Sequence, residues 1–209
     1  MSTIRVAIAG SSGSIGTQTI DVCLAEPDRF EIVALGVGSS VDLVIEQAQR
    51  LRPKLVAVAD PAGRARAADA LPFATVTDDL TDLVEAADVV VNGVVGFAGL
   101  DVTLATLRAG KRLALANKES LIAAGPVVQP LRATPGAELV PVDSEHCAVH
   151  MCLRSSDHLD RELAKVVLTA SGGPFRGRTR DDLAGITVEQ ALAHPTWKMG
   201  PKITVDSRR

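Results

Sequence analysis

The chain has 209 residues, 46% of them apolar and only 2% aromatic, so it can bury a sizeable core and that core must be aliphatic. A net charge of −3, with the basic residues scattered, argues against a nucleic-acid or membrane-surface protein, which would carry a basic face or tail. The three cysteines (Cys23, Cys147, Cys152) do not suit a disulfide framework, no apolar run reaches membrane-spanning length, and "MSTIRVAIAG" enters a strand without a leader, so a cytoplasmic protein is expected.

Five apolar runs read as strands: "RVAIAG" (5–10), "EIVALGV" (31–37), "KLVAVAD" (54–60), "DVVVNGVVG" (88–96) and "RLALAN" (112–117). They are continuously apolar rather than alternating, as strands covered on both faces must be, so the sheet is expected to be parallel. Helix-period segments lie between them. In "SSVDLVIEQAQRL", Val41, Val44, Ile45, Ala48 and Leu51 share one face and Ser40 stands at the N-cap. Gly110 is a helix stop. The alternation predicts an α/β fold, a Rossmann-like doubly wound parallel sheet. The rhythm changes at "ATPGAE" (133–138), where a domain boundary is expected near Pro135. A second α/β domain then begins: strand "ELVPVD", a helix through Met151, and a strand "KVVLTAS" (165–171), followed by the loop-like "GGPFRGRTRDD" and "HPTWKMGPK".

"GSSGSIG" follows the first strand and opens the first helix. Its spacing is G-x-x-G-x-x-G rather than G-x-G-x-x-G. Glycine there permits a tight turn and close backbone approach to a pyrophosphate, which the helix N-terminus favours. A tight turn that binds nothing is the plainer alternative. An NAD site usually has an acid after the second strand. Here "GVGSS" (36–40) has none, which favours NADP, with Ser39 and Ser40 as donors to a 2′-phosphate; the loop has no base either, so the preference is expected to be modest.

"ANKES" (116–120) closes the fifth run, so Asn117, Lys118 and Glu119 fall at the carboxyl edge where ligands bind such sheets. "PVDSEHCAVHMC" (141–152) is dense in metal-ligating types. Asp143 and Glu145 open a helix and suit a hard divalent cation. Zinc is the rival, since His146 and His150 are one turn apart, but Cys147 stands where a zinc-protease helix needs Glu, and Cys147 and Cys152 have no standard thiolate spacing. Cys147, His150 and Cys152 therefore read as helix filler and His146 as packing. Gly172 and Gly173, after Ser171, could expose N–H groups to an anion. Trp197, the sole Trp, shares a loop with His194 and suggests a lid.

In this order, "GSSGSIG", "ALANKES", "PVDSEH", "ASGGPF" and "HPTWKMG" closely resemble the 1-deoxy-D-xylulose 5-phosphate reductoisomerase family, over Ile4 to Ser207. The resemblance implies an enzyme of isoprenoid precursor synthesis. It would convert 1-deoxy-D-xylulose 5-phosphate to 2-C-methyl-D-erythritol 4-phosphate by rearranging the carbon skeleton and reducing the resulting aldehyde with NADPH. It implies Asp143 and Glu145 as two of three carboxylate ligands of Mg²⁺, Mn²⁺ or Co²⁺. Lys118 and Ser144 become substrate-hydroxyl contacts, and Ser171, His194 and Ser207 substrate and phosphate binders. Asn117, Glu119 and Gly200 become NADPH contacts, with Ser12, Gly13, Ser14 and Ile15 under the pyrophosphate and Gly38, Ser39 and Ser40 beside the adenosine. Trp197 and Met199 form the lid, and a full-length relative would be a homodimer.

The sequence departs from the family pattern in places. Ser12 stands where Thr is common. Ser39 and Ser40 replace a basic residue and Asn, and Lys198 replaces a lid Ser. After "ITVDS" the family continues into "NKGLE", a third carboxylate and a C-terminal helical domain. The 209 residues are thus expected to hold the NADPH-binding domain (1–135) and part of the catalytic domain (136–209), incomplete for turnover. The alternatives are another NADP-dependent reductase on the same fold, or a dinucleotide-binding module without catalysis.

Overall fold

The computed structural model describes residues 3–168 and 172–195. The chain divides into two compact units, Met1–His150 and Met151–Arg209. In the first, seven parallel strands form one sheet in the order β4-β3-β2-β1-β5-β6-β7. These are β1 (Ile4–Ala9), β2 (Phe30–Val37), β3 (Leu55–Val58), β4 (Thr75–Thr77), β5 (Val89–Asn92), β6 (Arg112–Leu115) and β7 (Glu138–Pro141). Helices α1 (Ser14–Ala25), α2 (Val41–Leu51), α3 (Pro61–Ala70), α4 (Leu83–Ala86), α5 (Leu100–Arg108) and α6 (Glu119–Leu131) connect them, and α7 (Ser144–Arg154) follows β7. The expected doubly wound parallel sheet is present.

Alternation along each strand sends side chains to opposite faces. In β1, Val6 and Ile8 join one core with Ile20 of α1, Val44 of α2 and Ala67 of α3. Ala7 and Ala9 join the other, with Leu83 and Val84 of α4 and Val102 of α5. A third cluster puts Leu107 of α5 and Val128 of α6 against Leu113 and Leu115 of β6. Each fully buried Leu, Ile or Val contributes roughly 1.5–3 kcal/mol. With aromatics so scarce, these aliphatics supply most of the core.

Local expectations met mixed outcomes. On α2, Val41, Val44 and Ala48 are buried as the pattern predicts, and Ser40 holds the N-cap position without a side-chain cap bond. Gly110 ends α5 at φ +65°. The run 88–96 is a strand only to Asn92: the chain leaves the ladder at Gly93 and bends at Gly96, which has a positive φ. Strand β4 went unforeseen, being three residues at the sheet edge with no apolar run. The turn at 133–137 packs against Gly110 and returns the chain to the same sheet, where β7 pairs with β6.

In the second unit, α8 (Leu159–Glu162) and α9 (Val188–Leu192) are short. A reciprocal cap by Thr187 and Gln190 starts α9. Residues 165–168 of the expected strand "KVVLTAS" form none: Val166, Val167 and Leu168 are exposed and pair with no strand among the described residues. An apolar run becomes a strand only where a neighbour supplies the ladder. No helix of the described residues is long and apolar enough to cross a membrane.

Lys111 shows how a loop side chain holds the sheet's far layer. Its ammonium donates to the carbonyls of Val84 (2.5 Å), Glu85 (3.0 Å) and Ala87 (2.8 Å), at the C-terminal end of α4. Burial there holds its pKa below the usual lysine range. Lys111→Met is expected to lower the unfolding free energy by about 1.5–3 kcal/mol, read as a lower urea midpoint at an unchanged slope.

Candidate functional site

The strand order reverses between β1 and β5: the chain runs outward from β1 to β4, then returns to β5 on the other side. Ligands of open α/β sheets sit at such a reversal, outside the carboxyl ends of the strands. Five loops converge on that edge, one each after β1, β2, β5, β6 and β7.

The turn after β1 is braced from behind. Gly10 and Ser11 donate their N–H groups to Gly36 O at 2.8 and 3.0 Å, and Gln47 of α2 donates to Ser11 O at 3.0 Å. Gly10 has φ +83°, and a methyl there would lie 2.8 Å from the backbone of Gly93. A methyl on Gly16 would overlap Gly10 O and the Ser11 backbone. These two glycines are required by the fold. Gly13 is different: a methyl would meet only Gly10 O, at 3.4 Å, so the fold leaves room for a side chain. Gly13 is the N-cap of α1, and the first-turn N–H groups of Ser14, Ile15 and Gly16 have no intrahelical acceptor. No acid lies in that first turn. An open, uncapped helix N-terminus fits the pyrophosphate of a dinucleotide. After β2, Gly38, Ser39 and Ser40 are all exposed, and a side chain at Gly38 would meet open space.

The loops after β5 and β6 are tied together by a buried polar network. Asn92, at the end of β5, donates to Gly99 O (2.7 Å) and Thr103 Oγ1 (3.0 Å) and accepts from Val94 N–H (3.2 Å). Asn117 donates to Val94 O (2.6 Å) and Gly96 O (2.7 Å), and its Oδ1 accepts from the Ser120 N–H (3.0 Å) and hydroxyl. Thr103 donates to Ser120 Oγ at 3.3 Å, closing the circuit. All four side chains are buried. The Asn117 side chain, expected beside the cofactor, is therefore committed to holding the 93–99 loop and capping α6. Its neighbour Glu119 is half-buried in the first turn of α6.

Lys118 is exposed and points across to β7. Its Nζ lies 3.2 Å from Asp143 Oδ2. His146 Nδ1 lies 2.8 Å from Asp143 Oδ1, and Ser144 Oγ donates to Glu145 Oε2 at 2.8 Å. Burial alone would raise the Asp143 pKa, but the hydrogen bond from His146 and the charge and hydrogen bond of Lys118 outweigh it, holding the carboxyl below its usual range. Asp143 and Glu145 offer hard oxygen donors and so fit a divalent cation that keeps part of its water. They supply two ligands, and no group of three His, Cys, Asp or Glu side chains comes together among the described residues. Cys147 is half-buried, His150 half-buried with Nε2 enclosed, and Cys152 exposed, which fits their reading as filler better than as a zinc site.

In the second unit, Gly172 and Gly173 both adopt positive φ but are buried, so the expected exposed N–H groups are not found there, and His194 is half-buried. Ser171, Trp197, Lys198, Met199, Gly200 and Ser207 lie outside the described residues.

Residues 6–125 match the family model for 1-deoxy-D-xylulose 5-phosphate reductoisomerase, and 139–209 match that for its C-terminal domain. The chain belongs to this family. It is 52% identical to the 1-deoxy-D-xylulose 5-phosphate reductoisomerase of Mycobacterium avium over 98% of this chain and 49% of the relative, and 45% identical to that of Exiguobacterium sibiricum over 97% and 54%. Among solved structures it is similar to the Zymomonas mobilis enzyme in complex with NADPH (TM-score 0.88, 35% identity, 99% of this chain and 54% of that one). It is also similar to a reductoisomerase solved with NADPH, fosmidomycin and magnesium (TM-score 0.83, 35% identity, 98% and 54%). The chain spans about half the length of the relatives it matches.

Reading the sequence alone overlooked the 93–99 loop and the residues beneath it. A signal was present: Asn92 is a polar residue closing an otherwise apolar run, which a buried parallel strand tolerates only when fully hydrogen-bonded. The division among the glycines is testable. Gly10→Ala should cost at least about 2 kcal/mol, combining left-handed strain with overpacking. Gly13→Ala should cost about 1 kcal/mol or less, the loss of a good N-cap. Equal losses in chemical denaturation would mean that Gly13 too is demanded by the fold.

Proposed function

We propose that this chain carries the NADPH site and part of the metal and substrate site of a reductoisomerase that converts 1-deoxy-D-xylulose 5-phosphate to 2-C-methyl-D-erythritol 4-phosphate. The observation that carries the reading is the meeting, along one sheet edge, of an open glycine turn with Lys118 and Asp143. The functional division falls near Pro135, with most dinucleotide residues before it and the metal residues after it, while Lys118 before it and Gly200 after it cross the division. The break between the two family matches, 126–138, supports that placement.

In this reading Ser12, Gly13, Ser14 and Ile15 hold the pyrophosphate by backbone N–H groups, and Gly38, Ser39 and Ser40 face the adenosine and its 2′-phosphate. Asn117 sets the loop beside the cofactor, and Glu119 and Gly200 complete the pocket. Asp143 and Glu145 hold a divalent metal (Mg²⁺, Mn²⁺ or Co²⁺), Lys118 and Ser144 orient substrate hydroxyls, and Ser171, His194 and Ser207 bind substrate and its phosphate. When bound, the metal polarises substrate oxygens and NADPH supplies hydride to the rearranged aldehyde. The Lys118 side chain, 3.2 Å from Asp143, is placed to stabilise negative charge developing on a substrate oxygen. The net charge of −3 gives nucleic acid no electrostatic foothold.

Calorimetry with NADPH on the 209-residue polypeptide tests the cofactor site. Binding is expected, and Gly13→Val should abolish it by filling the approach to the turn. NADPH should be preferred over NADH only weakly, since 36–40 contains neither acid nor base, and Ser39→Arg should widen the preference. Equal affinities in the parent chain would contradict the assignment of that loop. Turnover is read as NADPH oxidation with 1-deoxy-D-xylulose 5-phosphate and Mn²⁺. Two carboxylates leave most of the metal's coordination to water, and each 1.36 kcal/mol of lost transition-state binding is about tenfold in rate. The 209-residue polypeptide should therefore run orders of magnitude slower than one of the relatives' full length. Comparable rates would refute the two-ligand account.

A further inference from the structure

The 93–99 loop has no core of its own. Val95 is 71% exposed and Phe97 68% exposed, and a methyl on Gly96, at φ +75°, would meet nothing within 4 Å. Its place is set from beneath, by the bonds Asn92 and Asn117 make to the backbone of Val94, Gly96 and Gly99. The packing around those bonds is tight: a methyl on Gly99 would fall 2.7 Å from Asn117 Nδ2 and 3.2 Å from Asn92 Oδ1. The loop also abuts the glycine turn, since Gly93 and Val94 are what a side chain at Gly10 would strike and Gly93 lies against Ile15. Burying four polar side chains in an apolar sheet costs desolvation that only complete bonding offsets. Apolar residues would fill the same volume without that demand. What the network adds is a fixed backbone at the crevice.

A dinucleotide crossing the β1–β5 reversal over Gly13 has its adenosine half on the β2 side, at Gly38–Ser40. Its nicotinamide half then falls on the β5–β6 side, where the 93–99 loop and Lys118 lie. We infer that Asn92 is a positioning residue for the nicotinamide half of NADPH: with Thr103 it fixes the 93–99 loop as the second wall of the cofactor crevice. This rests on the NADPH reading above.

The test separates the two halves of the cofactor. Asn92→Leu is nearly isosteric and removes all three bonds; Thr103→Val removes one partner and spares the fold if Asn92→Leu does not. Each variant and the parent chain are titrated with NADPH and with adenosine 2′,5′-bisphosphate, which has no nicotinamide. Melting is followed by circular dichroism and exchange of the Val95 and Gly96 amides by NMR. The expected result is about tenfold weaker NADPH binding, fragment binding within twofold of the parent, and faster amide exchange confined to the loop. Unchanged NADPH affinity in a folded variant overturns the inference, as does an equal loss for NADPH and the fragment, which a general loosening would give. A parent chain that binds neither ligand refutes the NADPH reading itself, and this inference with it.

Discussion

The arrangement of the crevice depends on the backbone approach of Gly10 to Gly93 and Val94. The ends of β1 and β5 come within a methyl's width of each other, and only a residue without Cβ at a positive φ can stand there. Because β1 is the strand from which the chain winds outward and β5 the one to which it returns, this contact closes the floor of the crevice. The glycine turn is pressed against the β5 loop on one side and bonded to Gly36 of β2 on the other. Gln47 extends the same bracing to α2, linking the loop at 38–40 to the turn at 10–13. The open, uncapped start of α1 is thus held by contacts that do not use its own free N–H groups.

The second half of the edge is built by a different kind of force. β5 and β6 are buried strands, but the loop after β5 carries the exposed Val95 and Phe97, so packing cannot position it. Hydrogen bonds from buried amides do so instead. Such networks are costly unless complete, and here each Asn has both its donor and its acceptor groups engaged. Asn117 also fixes where α6 begins, and with it the Lys118 backbone. The direction of the Lys118 side chain toward Asp143 is therefore linked, through Asn117 and Ser120, to Thr103 and Asn92 on the neighbouring elements.

Much of this was legible in the sequence, for identifiable reasons. Strands buried on both faces read as continuous apolar runs, and β1, β2, β3, β5, β6 and β7 were placed from them to within a few residues at most ends. The length of the run 88–96 misled because the chain leaves the ladder after Asn92 and bends at Gly96, which apolarity does not report. Strand β4 has no apolar signal and exists only through its ladder to β3. The run at 165–168 has the opposite fault, a strand composition without a partner strand among the described residues. Of the candidate site, the glycine turn, the acid-free β2 loop and the Lys118 and Asp143 edge follow from motif position alone. The roles of Asn92 and of the Asn117 side chain do not, because long-range bonds to backbone carbonyls leave no local pattern.

The charges at β7 bear on how such an edge could accept a ligand. Asp143 is only 19% exposed, and both its oxygens are engaged, by Lys118 and by His146. A half-buried carboxylate left bare would be penalised, and these two groups offset the penalty. Lys118, however, is 47% exposed on a long flexible stem. An ion pair with one partner so exposed contributes about 0–1 kcal/mol, so little is lost when it opens. In the proposed metal-bound state, a divalent cation shared by Asp143 and Glu145 would take over the neutralisation of Asp143 at small cost and free the Lys118 ammonium. The pairing then keeps the edge ready for a ligand without locking it, and the buried amides beneath keep Lys118 in reach of either partner.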